Sequence, residues 1–205
     1  MGFMVVLLLL ALGGFQTAPP KTTAPPAPTQ ALEPAPGNPV AVISTSKGDI
    51  TVELFKDKAP VSVDNFLQYA REGFYAGTVF HRIERGFVVQ GGGYTEALVE
   101  KPTRDPILNE ATNGLRNLRG TLGMARRSQL RSATSQFYFN VANNGQLDHR
   151  GYTPTEFGYA VFGRVLAGMD VVDLIAKVPV RTAGDFASYP AEPILIIGVK
   201  IRDAK

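Results

Sequence analysis

Residues 79–92 read VFHRIERGFVVQGG, and the predicted fold is built around this stretch. Two short apolar runs, residues 79–83 and 87–90, lie on either side of a turn at Gly86. Apolar runs of this length that flank a glycine turn indicate a β-hairpin or two neighbouring strands. The glycines that follow Gln90 allow close backbone approaches that a side chain would prevent. This part of the chain is therefore predicted to be a closely packed strand pair.

The strand pair carries a cation and an amide among apolar side chains. Because side chains alternate between the two faces of a strand, Phe80 and Arg82 are expected on one face. His81 and Ile83 are then expected on the other face. Gln90 adds the amide at the end of the second run. A histidine with such apolar neighbours is interpreted as a packed, hydrogen-bonded side chain rather than as a member of a catalytic triad.

The remaining sequence predicts a mainly β protein with two helices. Further strands are predicted at residues 40–45, 50–55, 120–125, 136–141, 158–165 and 193–201. One helix is predicted to begin at Pro60 and to end before Gly73, and a second to span residues 169–178. Residues 91–106, which glycine and proline interrupt, are predicted to form a loop. Seven or eight short strands indicate a closed barrel or a sandwich, with the last strand pairing near the first.

The N-terminal segment has a different composition from the rest of the chain. Residues 3–12 are an unbroken apolar run, long enough for a signal peptide and short for a membrane span of about 20 residues. Residues 1–18 are predicted to be a signal peptide or an uncleaved N-terminal anchor, in which residues 3–15 would tether the protein to a membrane. Residues 19–39 contain eight prolines and are predicted to be an extended linker. Residues 40–205 are predicted to form one domain.

Composition excludes several classes of function. The chain has no cysteine, which excludes disulfides, thiolate metal sites and cysteine nucleophiles. With two histidines at unrelated spacing, no metal site is predicted. The net charge of +3 is mild, and the arginines between residues 116 and 131 are interpreted as a solvated loop face. Binding of RNA or an anionic surface through these arginines is a weaker alternative, and no nucleic-acid partner is expected.

Several motifs, taken together and in order, resemble the cyclophilin family of peptidyl-prolyl cis–trans isomerases. They are Phe80-His81-Arg82-Ile83, Gly86-Phe87, Gln90-Gly91-Gly92, Gly120-Thr121-Leu122-Gly123-Met124-Ala125, Ser135-Gln136-Phe137-Tyr138, Leu147-Asp148 and Val161-Phe162-Gly163. The resemblance covers residues 40–202 and is strongest to the bacterial periplasmic branch, through Asn109-Glu110 and Phe157-Gly158-Tyr159-Ala160. It implies a closed eight-stranded antiparallel barrel capped by two α-helices.

The resemblance also implies the residues of the active site. Arg82 and Gln90 are the implied catalytic residues. The implied substrate-binding residues are Phe87, Val88, Ala125, Gln136, Tyr138, Leu147 and Tyr159. A twisted prolyl amide regains a nitrogen lone pair, and a guanidinium is a suitable fixed donor to that nitrogen. The alternatives are a surface ion pair of Arg82 with Glu84 or Asp148, core packing of Phe87 and Leu147, and a purely structural amide at Gln136.

The sequence departs from the common cyclophilin pattern at four positions. Val88 stands where methionine is frequent, Tyr138 where phenylalanine is usual, and Tyr159 where many members have histidine. The hydroxyl of Tyr138 needs a hydrogen-bond partner or water. Gln146 occupies the position of a tryptophan that favours cyclosporin binding, so strong inhibition by cyclosporin is not expected.

These observations predict a cofactor-independent, non-covalent isomerase that accelerates rotation about Xaa-Pro bonds and assists the folding of exported proteins. The alternative is a binding module or chaperone that grips proline-containing segments and catalyses little. The expected partners are proline-containing segments of unfolded or folding proteins, and the expected form is a monomer. The expected location is the bacterial periplasm, with the protein either soluble or tethered to the inner membrane.

Overall fold

The computed structural model describes residues 33–202, and the predictions for residues 1–32 lie outside this range. The strands are β1 (Val40–Thr45), β2 (Gly48–Leu54), β3 (Thr78–Glu84), β4 (Val88–Thr95), β5 (Thr121–Met124), β6 (Phe137–Asn140), β7 (Val161–Ala167), β8 (Val180–Ala183), β9 (Phe186–Pro190) and β10 (Leu195–Arg202). The helices are α1 (Pro60–Arg71) and α2 (Met169–Ala176), with short 3-10 turns at Ala111–Asn113 and Gly145–Leu147. Apart from β4, predicted and observed bounds of the predicted elements differ by at most a few residues.

Eight of the strands form a closed barrel in the order β1-β10-β3-β4-β6-β5-β7-β2. All neighbouring strands run antiparallel, and the pairing of β1 with β10 joins the first strand to the last. The predicted mainly β fold, a closed eight-stranded antiparallel barrel with two α-helices, is therefore confirmed.

The barrel interior is filled by aromatic and branched side chains. Phe66 of α1 meets Phe137 of β6 edge to face, with ring centroids 5.5 Å apart, and this contact attaches the helix to the barrel. Val172 and Ile175 of α2 belong to the same buried cluster. Helix α1 has Pro60 in its first turn and is followed by Gly73 at a φ of +67°, as predicted. Among the described residues, no helix has the length and apolar character needed to cross a membrane.

Two parts of the sequence form strands where none was predicted. Strand β4 continues to Thr95, so the predicted loop at residues 91–106 is wrong for its first five residues. A Cβ on Gly91 would lie 2.7 Å from Cδ1 of Phe80, so the glycines that suggested a loop instead let β4 pass close to β3. Strands β8 and β9 form a separate hairpin. Most of β8 is exposed, so it lacks the alternation by which the other strands were predicted.

The segment before β1 is attached to the barrel through a buried carboxylate. Glu53 of β2, 1% exposed, accepts hydrogen bonds from the backbone N–H of Ala35 and from Nδ2 of Asn38, both at 2.8 Å. Its other oxygen accepts from Nε of Arg164 at 2.7 Å. Burial alone would raise the pKa of Glu53, but these donors outweigh it and hold the pKa below the ordinary value.

Candidate active site

A β-bulge in β3 sets the direction of Arg82. Phe80 pairs with Gly91 and Arg82 pairs with Gln90, so two residues of β3 stand opposite one residue of β4. The alternation of side chains is interrupted at such a bulge. Phe80 and Ile83 both point into the core, whereas Arg82 lines a pocket on the surface. The prediction that Phe80 and Arg82 share a face is therefore wrong.

The guanidinium of Arg82 is held by its neighbours on β3 and β4. Its Nη1 donates to Oε1 of Gln90 at 3.4 Å, and Nε2 of Gln90 donates to Oε1 of Gln136 at 3.0 Å. The ring centroid of Phe87 lies 5.7 Å from Cζ of Arg82. The surface ion pair with Glu84, one of the alternative roles for Arg82, is present, with 3.6 Å between Nε of Arg82 and Oε1 of Glu84. Both side chains are 40% exposed, so this pair stabilises little and leaves Arg82 at the pocket.

The pocket beside Arg82 has a volume of about 200 Å³. It is lined by Arg82, Phe87, Val88, Gln90, Ala125, Arg126, Tyr138, Leu147 and Tyr159. The structure thus brings together every predicted site residue except Gln136. The side chains of Val88, Ala125 and Tyr138 are buried, and those of Phe87, Leu147 and Tyr159 pack against them. An apolar hollow whose lining also includes two arginines and an amide suits a small apolar ring next to a peptide bond.

Gln136 lies in a second, adjoining pocket of about 460 Å³, which shares Arg82, Gln90, Ala125 and Arg126 with the first. Its side chain lies over Gly93, where a Cβ would come within 2.5 Å of Cγ of Gln136. Because Gln136 accepts from Gln90, it supports the amide that in turn holds Arg82. This supporting contact fits the structural alternative for Gln136, and because its side chain also lines the adjoining pocket, substrate contact by Gln136 stays a prediction.

Tyr138 forms the floor of the smaller pocket. Its hydroxyl donates to Oδ1 of Asn117 at 2.7 Å, which supplies the partner that the sequence required. Burial raises the pKa of Tyr138 well above the ordinary value, so the hydroxyl stays protonated. Tyr138 on β6 is paired with Gly123 on β5. The rings of Tyr138 and Tyr159 make an edge-to-face contact, with an interplanar angle of 82° and centroids 6.2 Å apart.

Arg126 is a pocket residue that the sequence interpretation missed. It was assigned with its arginine neighbours to a solvated loop. Its Nε donates to the carbonyl of Gly158 at 3.0 Å and its Nη2 to that of Pro154 at 2.8 Å. Its Cζ lies 4.6 Å from the ring centroid of Tyr159. Its position directly after Ala125, a predicted substrate-binding residue, was the signal that could have identified it.

His81 is a packing residue, as the sequence indicated. It is 2% exposed, and its ring lies 4.8 Å from Tyr94 and 5.1 Å from Phe186 between centroids. Burial, with the neighbouring Arg82 cation adding to it, lowers the pKa of His81 from 6.5 to about 4. The ring is therefore neutral at pH 7. Its Nδ1 has no hydrogen-bond partner within residues 33–202, so the prediction of a hydrogen-bonded side chain is not met at this nitrogen.

The closed barrel with this arginine-rimmed apolar pocket defines a class of protein: the proline isomerases of the cyclophilin type. Residues 40–201 match the family described as "Cyclophilin type peptidyl-prolyl cis-trans isomerase/CLD". The chain belongs to this family, and it is a peptidyl-prolyl cis–trans isomerase.

Bacterial relatives cover most of the chain. Over 160 residues it is 51% identical to peptidyl-prolyl cis-trans isomerase A of Dickeya dadantii, covering 78% of this chain and 83% of the relative. It is 47% identical over 159 residues to peptidyl-prolyl cis-trans isomerase B of Escherichia coli. This match covers 78% of this chain and 97% of the relative.

A solved structure shares the fold. It is a Cryptosporidium parvum cyclophilin type peptidyl-prolyl cis-trans isomerase in the presence of the dipeptide Ala-Pro. The TM-score is 0.66 at 25% identity, and the match covers 80% of this chain and 98% of that one.

Proposed function

We propose that Arg82 catalyses rotation about Xaa-Pro bonds by donating a hydrogen bond to the prolyl nitrogen of the twisted amide. The twist breaks amide resonance, so this nitrogen becomes an acceptor only near the transition state. A donor that is already oriented towards the prolyl nitrogen therefore lowers the barrier to rotation without binding the planar isomers more tightly. The observation that carries the proposal is the contact of Arg82 with Gln90 at the rim of an apolar pocket.

The proline ring is proposed to bind in the pocket of about 200 Å³. Phe87, Val88 and Leu147 form its walls, and Tyr138 forms its floor. Ala125 and Tyr159 complete the apolar lining. This lining holds the ring while the peptide on the other side of the bond turns.

The size of the rate enhancement requires both parts of the site. Raising the rate from about 0.01 to about 1,000 per second requires roughly 7 kcal/mol. One preorganised donor supplies about 3–4 kcal/mol. Exclusion of water by the apolar lining and fixation of the ring are proposed to supply the remainder.

The proposed substrates are proline-containing segments of exported proteins. This part of the proposal is supported by the apolar run at residues 3–12 and the proline-rich linker that follows it. We further propose that the protein acts as a monomer in the bacterial periplasm, released or tethered through residues 3–15. The curated relatives named above are bacterial isomerases.

Two experiments test this function. Refolding of an exported protein whose slow phase is limited by an Xaa-Pro bond should become faster with the wild type and not with Arg82→Ala. Fractionation of cells that express the full chain, with N-terminal sequencing, should recover the protein in the periplasm or on the inner membrane. Recovery in the cytoplasm would contradict the proposed location, and acceleration by Arg82→Ala would contradict the proposed role of Arg82.

A further inference from the structure

A buried hydrogen-bond network lies behind the pocket floor. The hydroxyl of Tyr138 donates to Oδ1 of Asn117 at 2.7 Å, and Nδ2 of Asn140 donates to the same oxygen at 3.2 Å. The backbone N–H of Asn117 donates to Oδ1 of Asp148 at 2.7 Å. Asn144 in turn donates to Oδ1 of Asn140 at 2.7 Å. Four polar side chains outside the pocket are thus connected to the floor.

The same network reaches the walls of the pocket. Nδ2 of Asn144 donates to the carbonyl of Phe87 at 2.9 Å. The carbonyl of Asn144 accepts from the N–H of Leu147 at 2.9 Å, and the carbonyl of Leu147 accepts from the N–H of Tyr159 at 2.9 Å. Three residues of the pocket lining, Phe87, Leu147 and Tyr159, are therefore connected to the floor by consecutive hydrogen bonds.

The asparagines of the network are shielded from water. Asn117, Asn140 and Asn144 are 1%, 0% and 2% exposed. Water cannot readily replace a lost partner at such depth, so the network is held in one arrangement. Nε of Arg116 completes it at the surface by donating to Oδ2 of Asp148 at 3.1 Å.

Gly123 makes room for the tyrosine. It faces Tyr138 across β5 and β6, and a Cβ at this position would lie 2.1 Å from Cζ and 2.2 Å from the hydroxyl oxygen of Tyr138. Cβ atoms essentially never come within 3.0 Å of a heavy atom from a residue that is not their chain neighbour. The ring therefore lies against β5 at a height that only glycine permits, and from there its hydroxyl reaches Asn117.

We propose that Tyr138, Gly123 and Asn117 form a positioning unit for the proline pocket. Gly123 sets the height of the floor, and the bond from Tyr138 to Asn117 fixes the ring there. Asn117 also connects the floor to the segment that carries Leu147. Asn117 is a positioning residue, since it lines no part of the pocket. The proposal rests on the proposed function, because it requires that the proline ring binds on Tyr138.

The test is the kinetics of Tyr138→Phe on an Ala-Pro peptide. This variant keeps the ring and removes the hydroxyl. A looser floor weakens binding of the planar and twisted amides alike, so KM should rise about fivefold with kcat changed less than about twofold. Tyr152→Phe, at a tyrosine that is 80% exposed, is the matched control and should leave both constants unchanged. An unchanged KM for Tyr138→Phe, even with a lower unfolding midpoint, would overturn the proposal.

A double-mutant cycle with Asn117→Ser tests the coupling. If the two residues act as one unit, the KM of the double variant rises by less than the product of the two single changes. A KM of the double variant equal to the product of the two single changes would contradict the proposal that the two residues act as one unit.

Arg82→Ala separates this inference from the proposed function. If Arg82→Ala loses kcat while Tyr138→Phe keeps the wild-type KM, only the inference fails. If Arg82→Ala keeps the wild-type kcat, the proposed catalytic role fails instead.

Discussion

Arg82 and Gln90 stand opposite each other on β3 and β4, and their side chains are joined by a hydrogen bond of 3.4 Å from Nη1 to Oε1. The bulge at His81 and Arg82 creates this pairing by turning the arginine away from the core. Gln136 holds Gln90 from the other side at 3.0 Å. The guanidinium of Arg82 is therefore oriented by the side-chain amide of Gln90, which is itself held by the amide of Gln136.

Replacing Gln90 by leucine is expected to reduce kcat about 10-fold, because Arg82 would lose its fixed orientation. KM should change little, since the apolar lining remains. Turnover of an Xaa-Pro peptide measures both constants.

Gln136→Leu removes the contact that holds Gln90 rather than a contact with Arg82 itself, and it should reduce kcat about threefold. A larger loss for Gln136→Leu than for Gln90→Leu would contradict this order of support.

Glu53→Gln is expected to lower the free energy of unfolding by about 2 kcal/mol at pH 7, because charge-assisted bonds to Asn38 and Arg164 are weakened. The pKa of Glu53 is held low in the folded state, so its stabilisation is present above the ordinary value of 4.5 and disappears as the pH falls through the lower folded pKa. Urea unfolding at pH 7 and pH 3 measures both effects.

Asp57→Asn is the matched control for Glu53→Gln, since Asp57 is an acid whose side chain is 63% exposed. It should change the unfolding free energy by less than about 0.5 kcal/mol. Equal stability of wild type and Glu53→Gln at pH 7 would show that the buried carboxylate does not hold the segment before β1.

His81→Gln is expected to reduce the loss of unfolding free energy that occurs between pH 7 and pH 5. Unfolded His81 binds a proton near pH 6.5, whereas the folded side chain does so only near pH 4, so stability falls as the pH drops between these values. For the wild type this group accounts for about 2 kcal/mol between pH 7 and pH 5. Urea unfolding of both proteins at the two pH values gives the difference. An identical decline in both proteins would mean that His81 titrates normally in the fold.

Local sequence patterns predicted the strands and left a barrel or a sandwich open, and the family resemblance implied the closed barrel. Which side chains of a strand face the core was not predicted correctly for β3. Apolar alternation marked the strands that fill the core, and Pro60 and Gly73 marked both ends of α1. The bulge could not be predicted, since it follows from how β3 pairs with β4 and not from the residues of β3 alone. The exposed strand β8 lacked the alternating pattern for a similar reason, because it packs in a separate hairpin outside the barrel.

The candidate site was predicted through its motifs, and what was missed comes from long-range contacts. Asn117 lies 21 residues from Tyr138 in sequence, and only the folded chain makes it the partner of that hydroxyl. Arg126 was missed because its orientation depends on carbonyls of residues 154 and 158. The need for a partner at Tyr138 was evident from the sequence, whereas the identity of that partner was not.

The most direct test is the rate of cis–trans exchange in a short Xaa-Pro peptide, measured with the wild type, Arg82→Ala and Arg85→Ala. Arg85 is the matched control, because it lies in the same hairpin and donates to the carbonyl of Lys177 on the surface. We expect Arg82→Ala to lose about 100-fold or more in kcat, the effect of removing one preorganised donor. Arg85→Ala should stay within about twofold of the wild type. A folded Arg82→Ala protein that exchanges the peptide as fast as the wild type would contradict the account.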